Sequence, residues 1–244
     1  MDFDPSQVAQ TLAIYALPVL LAITLHEAAH GYVARHFGDM TAHAQGRISL
    51  NPVRHIDLLG TIVVPLAILL LSYGKFLFGW AKPVPVNYSA LRKPRQHMAW
   101  VAAAGPGANL TMALLWALAL RAGVSMTSRA DAWMEVARQH GVVGLIEVVM
   151  KHGSGAAEFL VGVAAAGVLV NLLLMLLNLL PILPLDGGRI VASLLPTRIA
   201  WGYAKLEPWG FPILLGLMFM GALNVILAPM VAFSFSVLGT LFRI

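Results

Sequence analysis

Leu25-His26-Glu27-Ala28-Ala29-His30 lies inside the first long apolar run of the chain. On a helix His26 and His30 stand one turn apart and project from one face, the spacing at which two imidazoles can grip a single metal ion. Glu27 lies beside them. A carboxylate next to a metal-held water can take its proton, so the stretch supplies two ligands and a base for metal-assisted hydrolysis. In a soluble helix the same pattern is often a surface accident, and at a membrane interface it can simply snorkel. At membrane depth each ionisable side chain costs roughly 2.5 to 3.5 kcal/mol on insertion scales, and three within five residues call for a compensating role.

The bulk composition supplies that membrane. Of 244 residues, 59% are hydrophobic and 11% charged, and the mean hydropathy is +0.80, which excludes an ordinary soluble domain. The expected fold class is an all-α polytopic membrane protein: a three-helix catalytic core with flanking helices, and a short re-entrant or strand-like segment between the first two core helices. There is no cysteine, which excludes disulfide staples and thiolate metal sites, so zinc would have to be held by His, Asp or Glu. The net charge is +5, but the basic residues are spread between apolar segments and form no nucleic-acid patch. The first seven residues, MDFDPSQ, carry two Asp and no Lys or Arg, unlike the basic start of a secretory signal, so the first apolar segment is expected to be retained as a helix.

Taken in order, residues 1–244 read as a single transmembrane domain. The first core helix is expected over about 6–36, kinked at Pro18. Residues 37–57 are small, polar and turn-forming and read as loop with a short strand. His43, His55 and Asp57 in this loop are rival ligands, with His55 and Asp57 better suited to bracing it. Residues 58–73 are apolar but short for a span and contain Pro65. The basic stretch that follows is extended around Pro83 and Pro85, tolerable at membrane depth only against protein or a wet cavity. A second core helix follows over about 98–121. Near its start Gly105 and Gly107 permit close packing, and Asn109 puts an amide inside the bilayer, where it can bond a neighbouring helix or serve the site.

Residues 121–158 are mixed in charge and suggest an amphipathic interfacial helix. The third core helix is expected over about 157–181, with Asn171 and Asn178 seven apart on one face. Pro181 and Pro184 break it just ahead of Asp186. This carboxylate follows 27 uncharged residues and is a candidate metal ligand or close partner of one. After a short polar-faced helix from Arg189 to about Lys205, residues 208–242 are 35 uncharged positions. That is too long for one straight span, with breaks expected at Asn224 and Pro229.

If Asp186 is to meet His26 and His30, the first and third core helices must run parallel, with an odd number of crossings between them. Segment 58–73 is therefore expected to be re-entrant, or one arm of a hairpin. Segments 35–57 and 74–97 together hold eight Lys and Arg, and Arg189, Arg198 and Lys205 follow Asp186. The positive-inside rule puts these in the cytoplasm, with the site opening toward that face.

HExxH in a first core helix paired with N-x-x-P-x-x-x-L-D-G in a third resembles the site-2 protease family of intramembrane zinc metalloproteases. His26, Glu27 and His30, then Asn178, Pro181, Leu185, Asp186 and Gly187 carry both motifs, and Gly105 to Asn109 resembles the family's glycine-rich central helix. The segments NPVRHIDLLGT and GWAKPVPVN resemble loop text of the smallest members, and the expected form is one without a PDZ domain or a CBS pair. The resemblance implies Zn2+ held by His26, His30 and Asp186, with Glu27 as base and with Asn178 and Asn109 as catalytic hydrogen-bond donors to the oxyanion or the substrate backbone. It implies a substrate that is a transmembrane helix of another protein, unwound to be cut, with the stretch Pro83 to Val86 as a strand edge for β-addition. The implied partners are that transmembrane substrate and membrane lipid, with no nucleic acid, and the implied location is the plasma membrane of a bacterium. A membrane metal transporter would string ligands across the bilayer, and a dead scaffold would lack a motif member; neither pattern is present.

Overall fold

The computed structural model describes residues 5–64, 67, 68, 79, 81–153 and 155–244. The chain is built from helices: α1 (Pro5–His36), the short α2 (Thr41–Ala44), α3 (Pro94–Ser125), α4 (Ala130–His152), α5 (Ala156–Asn178), α6 (Asp186–Leu194), α7 (Thr197–Ala204), α8 (Glu207–Phe219) and α9 (Ala222–Phe242). Four of these are long and apolar enough to cross a membrane, over residues 9–36, 94–125, 156–178 and 222–242. The protein is an all-α polytopic membrane protein.

The core is the bundle of α1, α3 and α5, which pack side by side. Lipid tails are as apolar as leucine, so helices associate in a membrane through close packing of small residues. The buried faces accordingly carry Ala113 and Ala117 on α3 and Ala164, Ala165 and Ala166 on α5. Gly167 lies directly against the Trp116 ring. At one end of the bundle the Arg92 N–H donates to Phe37 O at 3.0 Å, joining the end of α1 to the start of α3. At the other end Gln10 Nε2 donates to Met150 O at 3.0 Å, tying the start of α1 to the end of α4. Helices α1 and α5 thus run parallel with α3 antiparallel between them, the arrangement the parity argument requires.

Several local expectations change. No strand forms among the described residues of the 37–57 loop. Its polar residues instead close tight turns: Asp39 Oδ1 accepts from Thr41 N–H at 2.9 Å ahead of α2, and Asn51 Oδ1 accepts from Val53 N–H at 3.0 Å ahead of a 3-10 turn over Pro52–His55. His55 braces the loop through Ser49 O, 2.9 Å from Nε2. Asp57 Oδ1 accepts from Gly60 N–H at 2.7 Å and caps a wide π-type turn over Leu58–Val63. Seven of the sixteen residues of 58–73, namely 65, 66 and 69–73, lie outside the described set, and the re-entrant course expected there depends on them.

The segment of mixed charge forms α4, kinked at Gly141 with φ 66° and ψ −168°. The polar-faced helix after Asp186 is two helices, α6 and α7, parted at Leu195 and Pro196. The long run 208–242 breaks at Met220–Gly221, not at Asn224 or Pro229. Gly221 takes φ 73°, a left-handed conformation that glycine adopts without steric penalty, whereas Pro229 is accommodated inside α9.

Gly167 and Gly107 give a direct test of this packing, because a Cβ at Gly107 meets nothing within 4 Å. Gly167→Ala is expected to lower stability by about 1 to 3 kcal/mol through overpacking against Trp116. Gly107→Ala is expected to be neutral or stabilising by up to about 1 kcal/mol. Unfolding midpoints in one detergent measure both, and equal shifts would contradict the packing described.

Candidate metal centre

Residues 22–30 of α1 alternate so that Ala22, Thr24, His26, Ala28 and His30 are all buried. The imidazoles of His26 and His30 lie with ring centroids 4.7 Å apart and planes at 83°, their Nε2 atoms separated by 3.1 Å. Asp186 arrives from the other side at the first position of α6. Pro181 and Pro184 end the helical path of α5, the Leu183–Pro184 peptide is cis, and the chain turns back so that the carboxylate sits at a helix N-terminus, where the dipole favours negative charge. Asp186 Oδ2 lies 3.2 Å from His26 Nε2 and 3.4 Å from His30 Nε2.

The other ring nitrogens decide what these three atoms can do. His30 Nδ1 is 2.7 Å from Val101 O, a backbone acceptor that requires a hydrogen on Nδ1. His26 Nδ1 is 2.6 Å from Asn109 Oδ1, another acceptor. With hydrogens on both Nδ1 atoms, each Nε2 presents a lone pair, and Asp186 Oδ2 is buried without a hydrogen-bond donor of its own. Three electron-rich atoms therefore converge in a site where their repulsion is unscreened, which a cation relieves. Four donors placed tetrahedrally at zinc-like distances stand about 3.3 to 3.4 Å apart. The observed triangle of 3.1, 3.2 and 3.4 Å fits that edge length. Among the described residues this is the one group of three or more His, Asp or Glu whose ligand atoms converge in this way.

The helix that backs the two rings has to come very close. A Cβ at Gly105 would lie 2.5 Å from His26 Cε1 and 2.5 Å from His30 Nε2, so no other residue fits there without moving the imidazoles. The sequence suggested Gly105 as a packing position only; its contact with the histidines depends on the register of α1 against α3. Helix α6 is held in place from its far end. Arg95 Nε donates to Ser193 O at 2.9 Å, and its Nη2 donates to Leu195 O, fixing the last carbonyls of α6 to the start of α3. Arg189 pairs with Glu207 at 3.0 Å and stands 5.3 Å from the Tyr88 ring centroid. Burial raises the Tyr88 phenol above its ordinary range against the pull of the Arg189 charge, so it stays protonated at neutral pH.

Glu27 is half-buried beside the triangle, and its Oε2 accepts from Val84 N–H at 2.7 Å. The extended stretch around Pro83 is thus a backbone donor to Glu27. It is anchored by Lys82 N–H to His55 O at 2.9 Å and by Arg47 Nη2, 2.8 Å from Lys82 O and 3.2 Å from Pro83 O. Arg47 was not singled out from sequence, and Val84 only as part of the extended stretch, since the contacts of Arg47 with Lys82 O and of Val84 N–H with Glu27 span separations no motif records. Asn109, expected as a catalytic donor, lies inside the bundle with partners of its own. Its Nδ2 lies 3.3 Å from Ala22 O and 3.1 Å from Asn171 Oδ1, and its Oδ1 faces His26, so both ends of the amide are committed within the bundle. Asn178 donates from Nδ2 to Leu174 O of its own helix at 2.9 Å.

Fold and site together define a polytopic membrane protein with a buried two-histidine, one-aspartate centre of metal-binding type. The sequence pattern of peptidase family M50 matches residues 14–221. A provisionally named zinc metalloprotease of Bacillus subtilis (strain 168), YwhC, is 34% identical over 214 residues, 88% of this chain and 84% of its own length. A protein named in the same way, Rip2 of Mycolicibacterium smegmatis, is 27% identical over 206 residues, 84% of this chain and 66% of its own. No solved structure gives a significant match. The chain belongs to peptidase family M50, the site-2 protease family whose motifs it carries.

Because the two rings abut Gly105, Gly105→Ala is expected to cut the divalent metal content of the purified protein sharply, while Gly107→Ala leaves it at the wild-type level. Elemental analysis of the two variants checks this. Equal metal content would contradict the close approach described.

Proposed function

We propose that the chain is an intramembrane zinc-dependent endopeptidase that cuts transmembrane helices of other membrane proteins, as in regulated intramembrane proteolysis. His26, His30 and Asp186 are its metal ligands and Glu27 its general base. The convergence of His26 Nε2, His30 Nε2 and Asp186 Oδ2 within 3.4 Å of one another, with Glu27 alongside, carries this reading. Zinc held there supplies Lewis-acid polarisation and brings the pKa of water to about 7.

The residues divide the remaining work. Val84 N–H holds Glu27 Oε2, which fixes the carboxylate and leaves Oε1 to accept the proton of the attacking water and later deliver it to the leaving amine. Asn178 is the remaining candidate donor to the oxyanion, at the membrane end of the turn that carries Asp186. A helical peptide bond is shielded by its own hydrogen bonds, so the substrate has to unwind before cleavage. The stretch 82–86 offers one extended edge for that purpose, under a constraint. Pro83 and Pro85 have no N–H, those of Lys82 and Val84 are engaged with His55 O and Glu27, and Arg47 holds the carbonyls of Lys82 and Pro83, so a docked strand would draw chiefly on the carbonyls of residues 84–86.

Charge supports a site that faces the cytoplasm. Of the 16 Lys and Arg, eleven lie in segments 35–95 and 189–205; the described ones among them flank the site's end of α1, α3 and α5, and the positive-inside rule favours the cytoplasm for that end.

Cleavage of single-span membrane substrates by the purified protein in liposomes tests the assignment. Glu27→Gln is expected to retain zinc and to lose about 10^2- to 10^4-fold in turnover, the range for a positioned acid–base group. A variant that keeps wild-type turnover, or loses zinc in step with activity, would overturn the role given to Glu27.

A further inference from the structure

We propose that Asn171 sets the tautomer of His26, acting through Asn109, and is a positioning residue for the Nε2 atom that faces the centre. The inference rests on the metal-centre reading for its consequence, but its geometry stands apart from any metal.

An imidazole can ligate through Nε2 only when its hydrogen is on Nδ1. For His30 this is settled directly, because Val101 O at 2.7 Å can only accept. For His26 the facing group is a primary amide, which can accept through oxygen or donate through nitrogen depending on which way it is turned. The amide of Asn109 therefore settles nothing until something fixes its own orientation.

Asn171 supplies that reference. Its Nδ2 donates to Gly167 O at 2.8 Å, a backbone carbonyl whose polarity cannot change, so its Oδ1 is turned toward Asn109. Asn109 answers with Nδ2, 3.1 Å from Asn171 Oδ1 and, at a longer 3.3 Å, from Ala22 O. Its Oδ1 is then left facing His26 Nδ1 at 2.6 Å, and the hydrogen between them belongs to Nδ1. Turning Asn109 over would set its oxygen against both Asn171 Oδ1 and Ala22 O. Turning Asn171 over would set its oxygen against Gly167 O. Both asparagines are 0% exposed, so bulk water does not compete for these groups, and unpaired polar atoms here are costly. The polarity of one carbonyl on α5 is thus passed through two amides to a ring on α1.

The test uses the full-length protein. The 15N signals of the metal-free form, with His26 assigned by difference against His26→Asn, report the tautomer, and competition with a chromogenic chelator reports zinc affinity. The wild type is expected to show hydrogen on Nδ1 alone. Asn171→Leu removes the reference and leaves only the weaker contact to Ala22 O. It is expected to give a mixture with the Nε2–H tautomer and a zinc affinity lower by roughly 10- to 100-fold, as for other groups that orient a ligating histidine. Asn171→Asp, whose buried acid can present O–H to Gly167 and C=O to Asn109, is expected to restore both. An Nε2–H tautomer in the wild type would overturn the proposal. So would loss of zinc affinity in both Asn171 variants alike with the tautomer unaltered. A wild type with the stated tautomer and no affinity for zinc would uphold the relay and sink the metal-centre reading instead.

Discussion

Two imidazoles and a carboxylate meet inside a bundle of apolar helices, and the rest of the structure follows from that requirement. Removing charge from water is expensive, and electron-rich atoms that face one another at 3.1 to 3.4 Å in a low-dielectric interior repel strongly. Such a cluster persists only when every polar atom behind it is satisfied and the atoms in front share a cation. Here Val101 O and Asn109 Oδ1 take the Nδ1 hydrogens, which turns all remaining lone pairs inward. The same arrangement that would be a liability without a metal is a donor set with one.

Holding that cluster fixes the architecture around it. Helix α3 has to approach α1 so closely that only Gly105 fits against the rings. The third inward-facing donor comes from α6, a separate short helix, because an aspartate on the wall of α5 could not be aimed independently; the two prolines and the clamp of Arg95 on the end of α6 give it a fixed direction. Glu27 is held by backbone and not by a side chain, since Val84 N–H is a donor that cannot rotate away. Rigid elements thus carry the centre, and the extended stretch restrains Glu27.

Much of this was legible in the sequence, for identifiable reasons. His26 and His30 announce themselves because a 3.6-residue period converts a spacing of four into one face, and Asp186 stands out as a lone charge behind a long apolar run. Parity of crossings then required α1 and α5 to be parallel, as they are. Other features depend on contacts that no local pattern encodes. Asn109 read equally as a helix-packing amide and as a catalytic donor, and its partners His26 and Asn171 lie 83 and 62 residues away. Asn224 and Pro229 looked like the natural breaks in 208–242, yet the chain turns at Gly221. A proline inside a membrane helix is tolerated when neighbours satisfy the freed carbonyl, whereas a left-handed residue ends the helix outright. Polar turns in the 37–57 loop suggested a strand and instead close on side-chain acceptors within two residues.

The central claim is the identity of the inward-facing donors, and X-ray absorption at the zinc edge of the purified wild-type protein addresses it most directly. The account expects four nitrogen or oxygen neighbours at about 2.0 to 2.1 Å, with outer-shell scattering from two imidazoles and no more. A third imidazole, which would bring in a residue such as His55, or a protein that purifies without zinc under conditions where it cleaves substrate, would contradict it.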